Sequence, residues 1–329
     1  SLAKARWLEA RKAELLPVPY FHVVFTIPHI FNSLVLRNKR TLYSILFQAV
    51  SETLREVAAN SKNLGAEIGF IAVLHTWSQN LSLHPHLHVV VPGGGLSPDR
   101  KRWMTCREGF FLPVRVLSAV FRGKFLSHLE KAFHSGRLEF SGKIEHLVEA
   151  AEFKQLLQQA CAVPWVVYAK KPFAGPQQVF EYLGRYTHRV ALSNNRLVKM
   201  ENNKVTFRWK DYADGSAVKN MTLDAAEFIR RFLLHVLPKG FVRIRHFGFL
   251  SNRNRKTSIL LCRKLLGEFD EAVDPGDCNQ IDTWQELLLH LTVFDATVCP
   301  NCQKGHLIEM ETLLPEKKYF NFFEPIDSS

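Results

Sequence analysis

The sequence has no run of the ~18 apolar residues that a membrane-crossing helix requires. No membrane partner is therefore expected. The first residues do not read as a secretory signal. Where its apolar stretch would stand, Ser1 to Leu16 carries Lys4, Arg6, Glu9, Arg11, Lys12 and Glu14 and reads as a charged helix. Cysteine is sparse, with six in 329 residues, and only Cys299 and Cys302 lie close together. That spacing excludes a disulfide framework and points to a reducing cytoplasm. No internal repeat and no low-complexity tract is visible. Acidic residues are the minority, 31 against 43 Lys and Arg, for a formal net charge of +12 and an isoelectric point near 9.5. Such a balance suits a polyanionic partner, with a merely solvated basic surface as the alternative.

What is present is ample apolar material. The hydrophobic share is 47%, enough for a sizeable core in one large domain or two ordinary ones. Pro17-Val18-Pro19 ends the first helix, and Tyr20 to Thr26 reads as a buried strand closed by Pro28. Leu42, Ile45, Leu46, Ala49, Val50 and Leu54 recur at helical spacing between Thr41 and Val57. Further strands are expected over Ile68 to Trp77, His86 to Val91 (broken by Pro92-Gly93-Gly94-Gly95) and Trp165 to Ala169. After Pro113 a helix is expected to about Phe133, and another runs from Pro176 to about Tyr186. Arg196 to Met200 and Val205 to Trp209 flank Asn202-Asn203 as a hairpin, and Ala225 to Leu237 is an amphipathic helix. This order predicts an α+β fold, an antiparallel sheet covered by helices. The expected regions are 1–19 as a helical linker, 20–193 as the main domain, 194–265 as a basic hairpin-plus-helix region, and 266–329 as a cysteine-containing tail.

Leu83-His84-Pro85-His86-Leu87-His88-Val89-Val90-Val91 carries the first chemical signal. Alternate side chains of a strand share a face, so His86 and His88 point one way and Leu87, Val89 and Val91 the other. Two imidazoles on one face are half of a divalent-metal site. If the strands on either side of Ser78 to Ser82 pair as a hairpin, His75 falls opposite His86 and becomes the third ligand. His84 shares the parity, but Pro85 marks it as a strand-edge residue and a substrate or supporting contact.

Tyr182 and Tyr186 carry the second signal. Four residues apart on an expected helix, they share a face beside Glu181, Arg185, His188 and Arg189. A phenol ionises near pH 10, so its use as a nucleophile at pH 7 costs about 4 kcal/mol unless a metal polarises the target. Attack on a phosphodiester would leave a phosphotyrosine ester, which a free 3′-hydroxyl can reverse. Two tyrosines allow two such steps in one subunit, while ordinary packing on an amphipathic helix is the alternative use of the pair.

His86-Leu87-His88 together with Tyr182 and Tyr186 resembles the histidine-hydrophobic-histidine and paired-tyrosine motifs of the two-tyrosine rolling-circle transposases of bacterial insertion sequences, the IS-ninety-one group. Supporting segments are Ala72 to Gly95, Trp165 to Ser193 and Phe241 to Arg253, and the likeness spans roughly residues 1–265. The resemblance implies a ferredoxin-like sheet of the HUH endonuclease kind. It implies a DNA strand transferase acting on single-stranded transposon ends and target with Mg²⁺ or Mn²⁺, in the bacterial cytoplasm at the nucleoid. It makes Tyr182 and Tyr186 the nucleophiles and His86 and His88 metal ligands. Members of the group usually carry a cysteine-rich zinc segment ahead of the matched region. Here the sequence opens on Ser1-Leu2-Ala3-Lys4 without one.

Lys170, Lys171, Arg185 and Arg189 are the first candidates for phosphate contacts, followed by Arg243, Arg245, Arg253, Arg255 and Lys256. Phe207, Trp209, Phe247 and Phe249 are candidates to stack unpaired bases. Cys299-Pro300-Asn301-Cys302 has the shape of one zinc knuckle, which Cys262, Cys278, His290 or His306 could complete into a structural site. A binding module without chemistry and a hydrolytic metallonuclease are the competing readings.

Overall fold

The computed structural model describes residues 14–170, 191–212, 214–268, 298, 302, 304 and 305. All but the last four belong to one compact unit, Arg6–Asp270. Its elements run β1 (Tyr20–Thr26), α1 (Asn32–Arg37), α2 (Lys39–Ala59), β2 (Gly69–Trp77), β3 (Leu83–Pro92), β4 (Gly94–Leu96), β5 (Trp103–Thr105), α3 (Val114–His134), α4 (Ala150–Ala162) and β6 (Val167–Lys170). They continue with β7 (Leu197–Glu201), β8 (Lys204–Asp211), β9 (Ala217–Asp224), α5 (Ala225–Leu234), β10 (Ile244–Gly248) and α6 (Arg255–Leu265).

A five-stranded sheet in the order β10-β2-β3-β1-β6, antiparallel at every pairing, forms the scaffold. The expected antiparallel α+β architecture is what forms. Strand parity explains its two faces. Phe21, Val23 and Phe25 of β1, Phe70, Ala72 and Leu74 of β2, and Leu87, Val89 and Val91 of β3 turn to one side. There they pack on Leu42, Leu46, Val50 and Leu54 of α2 and Phe121 and Phe125 of α3. Each Val, Leu or Phe among them gains roughly 1.5–3 kcal/mol by leaving water, which fixes the register of all three strands. The opposite face is divided. Tyr20, Val73 and Val90 lie under Leu16, Val18, Ile259 and Cys262, and the histidines occupy the rest.

The structure departs from several sequence expectations. β3 begins at Leu83, and Pro85 lies inside it. A register shift between His75 and Trp77 sits opposite this stretch, so the proline's missing N–H falls where the ladder is already interrupted. The triple glycine does not end the sheet structure, because Gly94–Leu96 pairs with Trp103–Thr105. A Cβ at Gly95 would stand 2.5 Å from the Glu67 carbonyl oxygen, so only glycine permits that approach. Residues 244–248, placed by sequence in a separate basic region, pair with β2 and complete the main sheet. The amphipathic helix at 225 stops at Leu234.

β7, β8 and β9 form a second, three-stranded sheet over a small core of Phe207, Leu81 and Ala191, with Phe228 and Phe232 of α5 packed against it. The C-terminal end of α5 is held from α2. Lys39 Nζ donates to the carbonyls of Leu234 (2.8 Å) and Val236 (2.9 Å), and Arg40 donates to Lys239 (2.7 Å). Cations there satisfy orphan carbonyls and oppose the negative end of the helix dipole. The β2–β3 loop is clasped by the same unit. Arg196 donates to the Gln79 carbonyl, Arg231 to that of Asn80 (3.2 Å) and His235 Nε2 to that of Leu81 (3.1 Å). No helix among the described residues is long and apolar enough to cross a membrane.

Candidate metal centre

The site is built by two neighbouring strands and completed by a third. In the β2–β3 ladder His75 pairs with His86 and Val73 with His88, so the three imidazoles share the face turned away from α2 and α3. Their ligand atoms all lie within 4.8 Å of one another. His86 Nε2 and His88 Nε2 are 3.0 Å apart. The His75 ring lies 4.3 Å from that of His88 and 5.5 Å from that of His86, centroid to centroid. Trp77 stacks on His75 at 4.7 Å and 16°. The convergence expected for His75, His86 and His88 is therefore present in the backbone register itself.

Two contacts turn the ligand edges inward. His86 Nδ1 donates to the His84 carbonyl at 2.6 Å. His88 Nδ1 is 2.8 Å from Nε2 of His22 on β1. Burial lowers the pKa of all three groups: His86 to about 4, His88 well below its ordinary value and His22 to about 3. After burial, Lys170 is the next cause for His22, and the neighbouring imidazoles His75 and His86 are for His88. Neutral imidazoles are the form that binds a cation. Three nitrogen donors aimed at one point fit a divalent ion and leave positions open for oxygen ligands. His84 stands beside the triad, 5.0 Å from His86 and 5.1 Å from the exposed His29 by ring centroids.

Of the expected phosphate contacts, Lys170 is nearest the histidines. It pairs with His22 across the β1–β6 ladder, on the same face, and is exposed. Arg253 and Lys256 are exposed near the start of α6. Arg243 is partly buried on the turn into β10, and burial lowers its pKa. Two expectations need correction. Arg245 turns to the helical face, where its guanidinium sits 4.2 Å from the Phe47 ring centroid and 5.1 Å from that of Phe241; it spends its charge on aromatics, not at the histidine face. Arg255 is engaged by Glu14 at 2.9 Å. Among the aromatics, Phe207 and Phe249 are core residues, 0% and 1% exposed, and cannot stack bases. Phe247 lies against Phe70 and Phe47, and Trp209 is partly buried beside the small core. Cys262 packs in the apolar layer, and burial pushes its thiol up to about 12, the wrong direction for a zinc-binding thiolate. Cys302 is exposed and accepts an N–H from Gly305 at 3.3 Å. Tyr182, Tyr186, Lys171, Arg185, Arg189 and Cys299 lie outside the described residues.

Sequence reasoning missed His22, the residue that meets His88. His22 is the one histidine in Tyr20–Thr26, on the parity opposite to Phe21, Val23 and Phe25, but the strand alone does not tell which neighbour it will meet.

A family described as "Putative transposase" matches residues 69–258, which includes β2, β3 and all three histidines. The chain is 54% identical over 311 residues to "Putative transposase y4qJ" of Sinorhizobium fredii (strain NBRC 101917 / NGR234), covering 94% of this chain and 78% of that protein. It is 28% identical over 265 residues to the transposase for insertion sequence element IS801 of Pseudomonas savastanoi pv. phaseolicola, covering 76% of this chain and 59% of the relative. Among solved structures, the conjugative relaxase TrwC in complex with oriT DNA, a metal-bound structure, aligns over 74% of this chain and 71% of its own at 13% identity and a TM-score of 0.27. The family match and the 54% relative establish that this chain belongs to the transposase family.

Proposed function

We propose that this transposase nicks single-stranded DNA and carries the cut end as a 5′-phosphotyrosine ester, using a divalent cation held by His75, His86 and His88. One observation carries the reading: three buried or half-buried imidazoles converge within 4.8 Å on a pair of neighbouring strands. Three convergent nitrogens on one sheet face are a donor set that fits a divalent ion and leaves positions for oxygen ligands.

When bound there, a Mg²⁺ or Mn²⁺ ion draws charge from the non-bridging oxygens of the scissile phosphate. The chain's own residues do the rest. The phenol oxygen of Tyr182 or Tyr186 forms the new bond to phosphorus, and the bond from phosphorus to the 3′-oxygen breaks. The phenol loses its proton, and the leaving oxygen takes one up to become a free 3′-hydroxyl. The ester keeps one phosphodiester linkage for each one broken, so a second 3′-hydroxyl can reverse the step and join strands. Lys170, exposed at the end of β6 across from His22, would meet a backbone phosphate, and Lys171, Arg185 and Arg189 follow it in sequence.

A labelled single-stranded oligonucleotide carrying a transposon end, run on a denaturing gel, tests the reading. With Mn²⁺ a protein-linked band is expected. It should vanish with chelator and in the Tyr182→Phe/Tyr186→Phe double variant. Cleavage with both ends free would make the chain a hydrolytic nuclease. Salt-sensitive binding indifferent to chelator, with no cleavage, would make it a binding module.

A further inference from the structure

We infer that His22 is a positioning residue for the cation site: it accepts the Nδ1–H of His88 and so holds His88 with its Nε2 lone pair facing His75 and His86. The inference rests on the proposed reading of those three histidines as ligands. His22 lies on β1, where the ladder sets it opposite Val90 and diagonal to His88 on the shared face. Diagonal neighbours in a sheet are within reach of long side chains, and here the reach ends in a 2.8 Å nitrogen–nitrogen contact.

The geometry of that contact is specific. The two ring planes lie within 10° of each other, with centroids 5.0 Å apart. Nitrogens 2.8 Å apart are closer than two stacked ring faces can approach. The rings therefore meet edge to edge, with the lone pair of one nitrogen lying along the N–H of the other. This is hydrogen-bond geometry, and a phenyl ring at position 22 would fill the space without supplying it.

The contact also excludes a role for His22 as a fourth ligand. It engages Nδ1 of His88, whereas the triad gathers at Nε2, the atom 3.0 Å from His86 Nε2. A neutral imidazole carries one proton. If Nε2 of His88 is to hold a cation, that proton belongs on Nδ1, and the atom beside it must accept. His86 solves the same problem differently, because its Nδ1 donates to the His84 carbonyl at 2.6 Å, a group that can only accept. The two histidines of the motif are thus oriented by different devices, one local in the chain and one supplied by β1. Partners of this kind fix the tautomer and ring orientation of metal-binding histidines.

Mn²⁺ binding, read by electron paramagnetic resonance of the free ion, tests the assignment in the full chain without DNA. His22→Phe is expected to weaken Mn²⁺ binding by about 10–100-fold. His22→Gln, whose side-chain oxygen can stand where Nε2 stood, is expected to retain affinity within several-fold of the unchanged protein. In ¹⁵N-histidine-labelled protein loaded with Zn²⁺, His88 should carry its proton on Nδ1. Unaltered affinity in His22→Phe, an equal loss in the Gln variant, or a His88 proton on Nε2 would overturn the role of His22 alone. Full Mn²⁺ affinity in His86→Ala would instead overturn the ligand reading beneath it.

Discussion

His75 and His86 face each other across the β2–β3 ladder, while Leu74, one residue away, points into the opposite layer and is 1% exposed. Adjacent positions on one strand therefore serve different ends. His75→Ala should lower Mn²⁺ affinity at least tenfold with little change in unfolding free energy. Leu74→Ala should cost about 2–5 kcal/mol of stability and leave Mn²⁺ affinity close to unchanged. Titration calorimetry and urea unfolding on the two variants separate the faces; loss of binding in the leucine variant while it remains folded would refute the division.

The donor set bears on which cation is held. Imidazole nitrogens suit transition ions, whereas Mg²⁺ prefers oxygen ligands and gives up its water reluctantly. Mn²⁺ is expected to bind the DNA-free protein at least tenfold tighter than Mg²⁺. Equal affinities in a calorimetric competition would count against a three-nitrogen site.

His235 provides a pH dependence. Its Nε2–H donates to the Leu81 carbonyl at 3.1 Å, and Nδ1 accepts from the Thr76 hydroxyl at 3.2 Å. Burial, the largest cause, holds its pKa below the ordinary 6.5. The unfolded chain thus takes up the proton first as pH falls, and stability present above about pH 6.5 is lost as pH drops toward the folded value. Urea unfolding at pH 7.5 and 5.5 should show a larger acid loss in the unchanged protein than in His235→Gln. Equal losses would show that this imidazole is not what titrates.

Tyr43 is fully buried in α2, and its hydroxyl has no hydrogen-bond partner among the described residues. Burial raises its pKa, since the charged form is disfavoured there. Tyr43→Phe removes a desolvated group whose burial costs about 1–3 kcal/mol and should leave stability unchanged or increased. A clear fall in melting temperature would reveal a partner for that hydroxyl.

The paired histidines and their cross-strand neighbour were legible because strand parity and a short hairpin leave little freedom. The order of buried strands was legible because Phe21, Val23, Phe25 and Leu87, Val89, Val91 alternate plainly. His22 was not, because an isolated polar residue on an apolar strand does not tell which strand will lie beside it. Arg245 was misread for a related reason: the rings that take up its charge come from Phe47 and Phe241, on α2 and just ahead of β10. β9 carries Lys219, Asn220 and Thr222 on a largely exposed strand, so its hydrophobic pattern is faint and only pairing with β8 reveals it. Phe207 and Phe249 looked available for base stacking because burial, in the small core for Phe207 and under Leu16 and Ile259 for Phe249, is invisible without the chain that covers each.

The turn from Ser78 to Ser82 does more than reverse direction. Its three consecutive carbonyls at Gln79, Asn80 and Leu81 are each gripped by a side chain from beyond residue 190. Burial of Leu87, Val89 and Val91 fixes the register of β3, so an insertion or deletion of one residue there would be taken up in the turn itself. The three carbonyls would then shift off the side chains that hold them. Surface turns ordinarily drift in length between relatives; this one is expected to keep its count, because a distant part of the chain holds it like the stop on a ratchet.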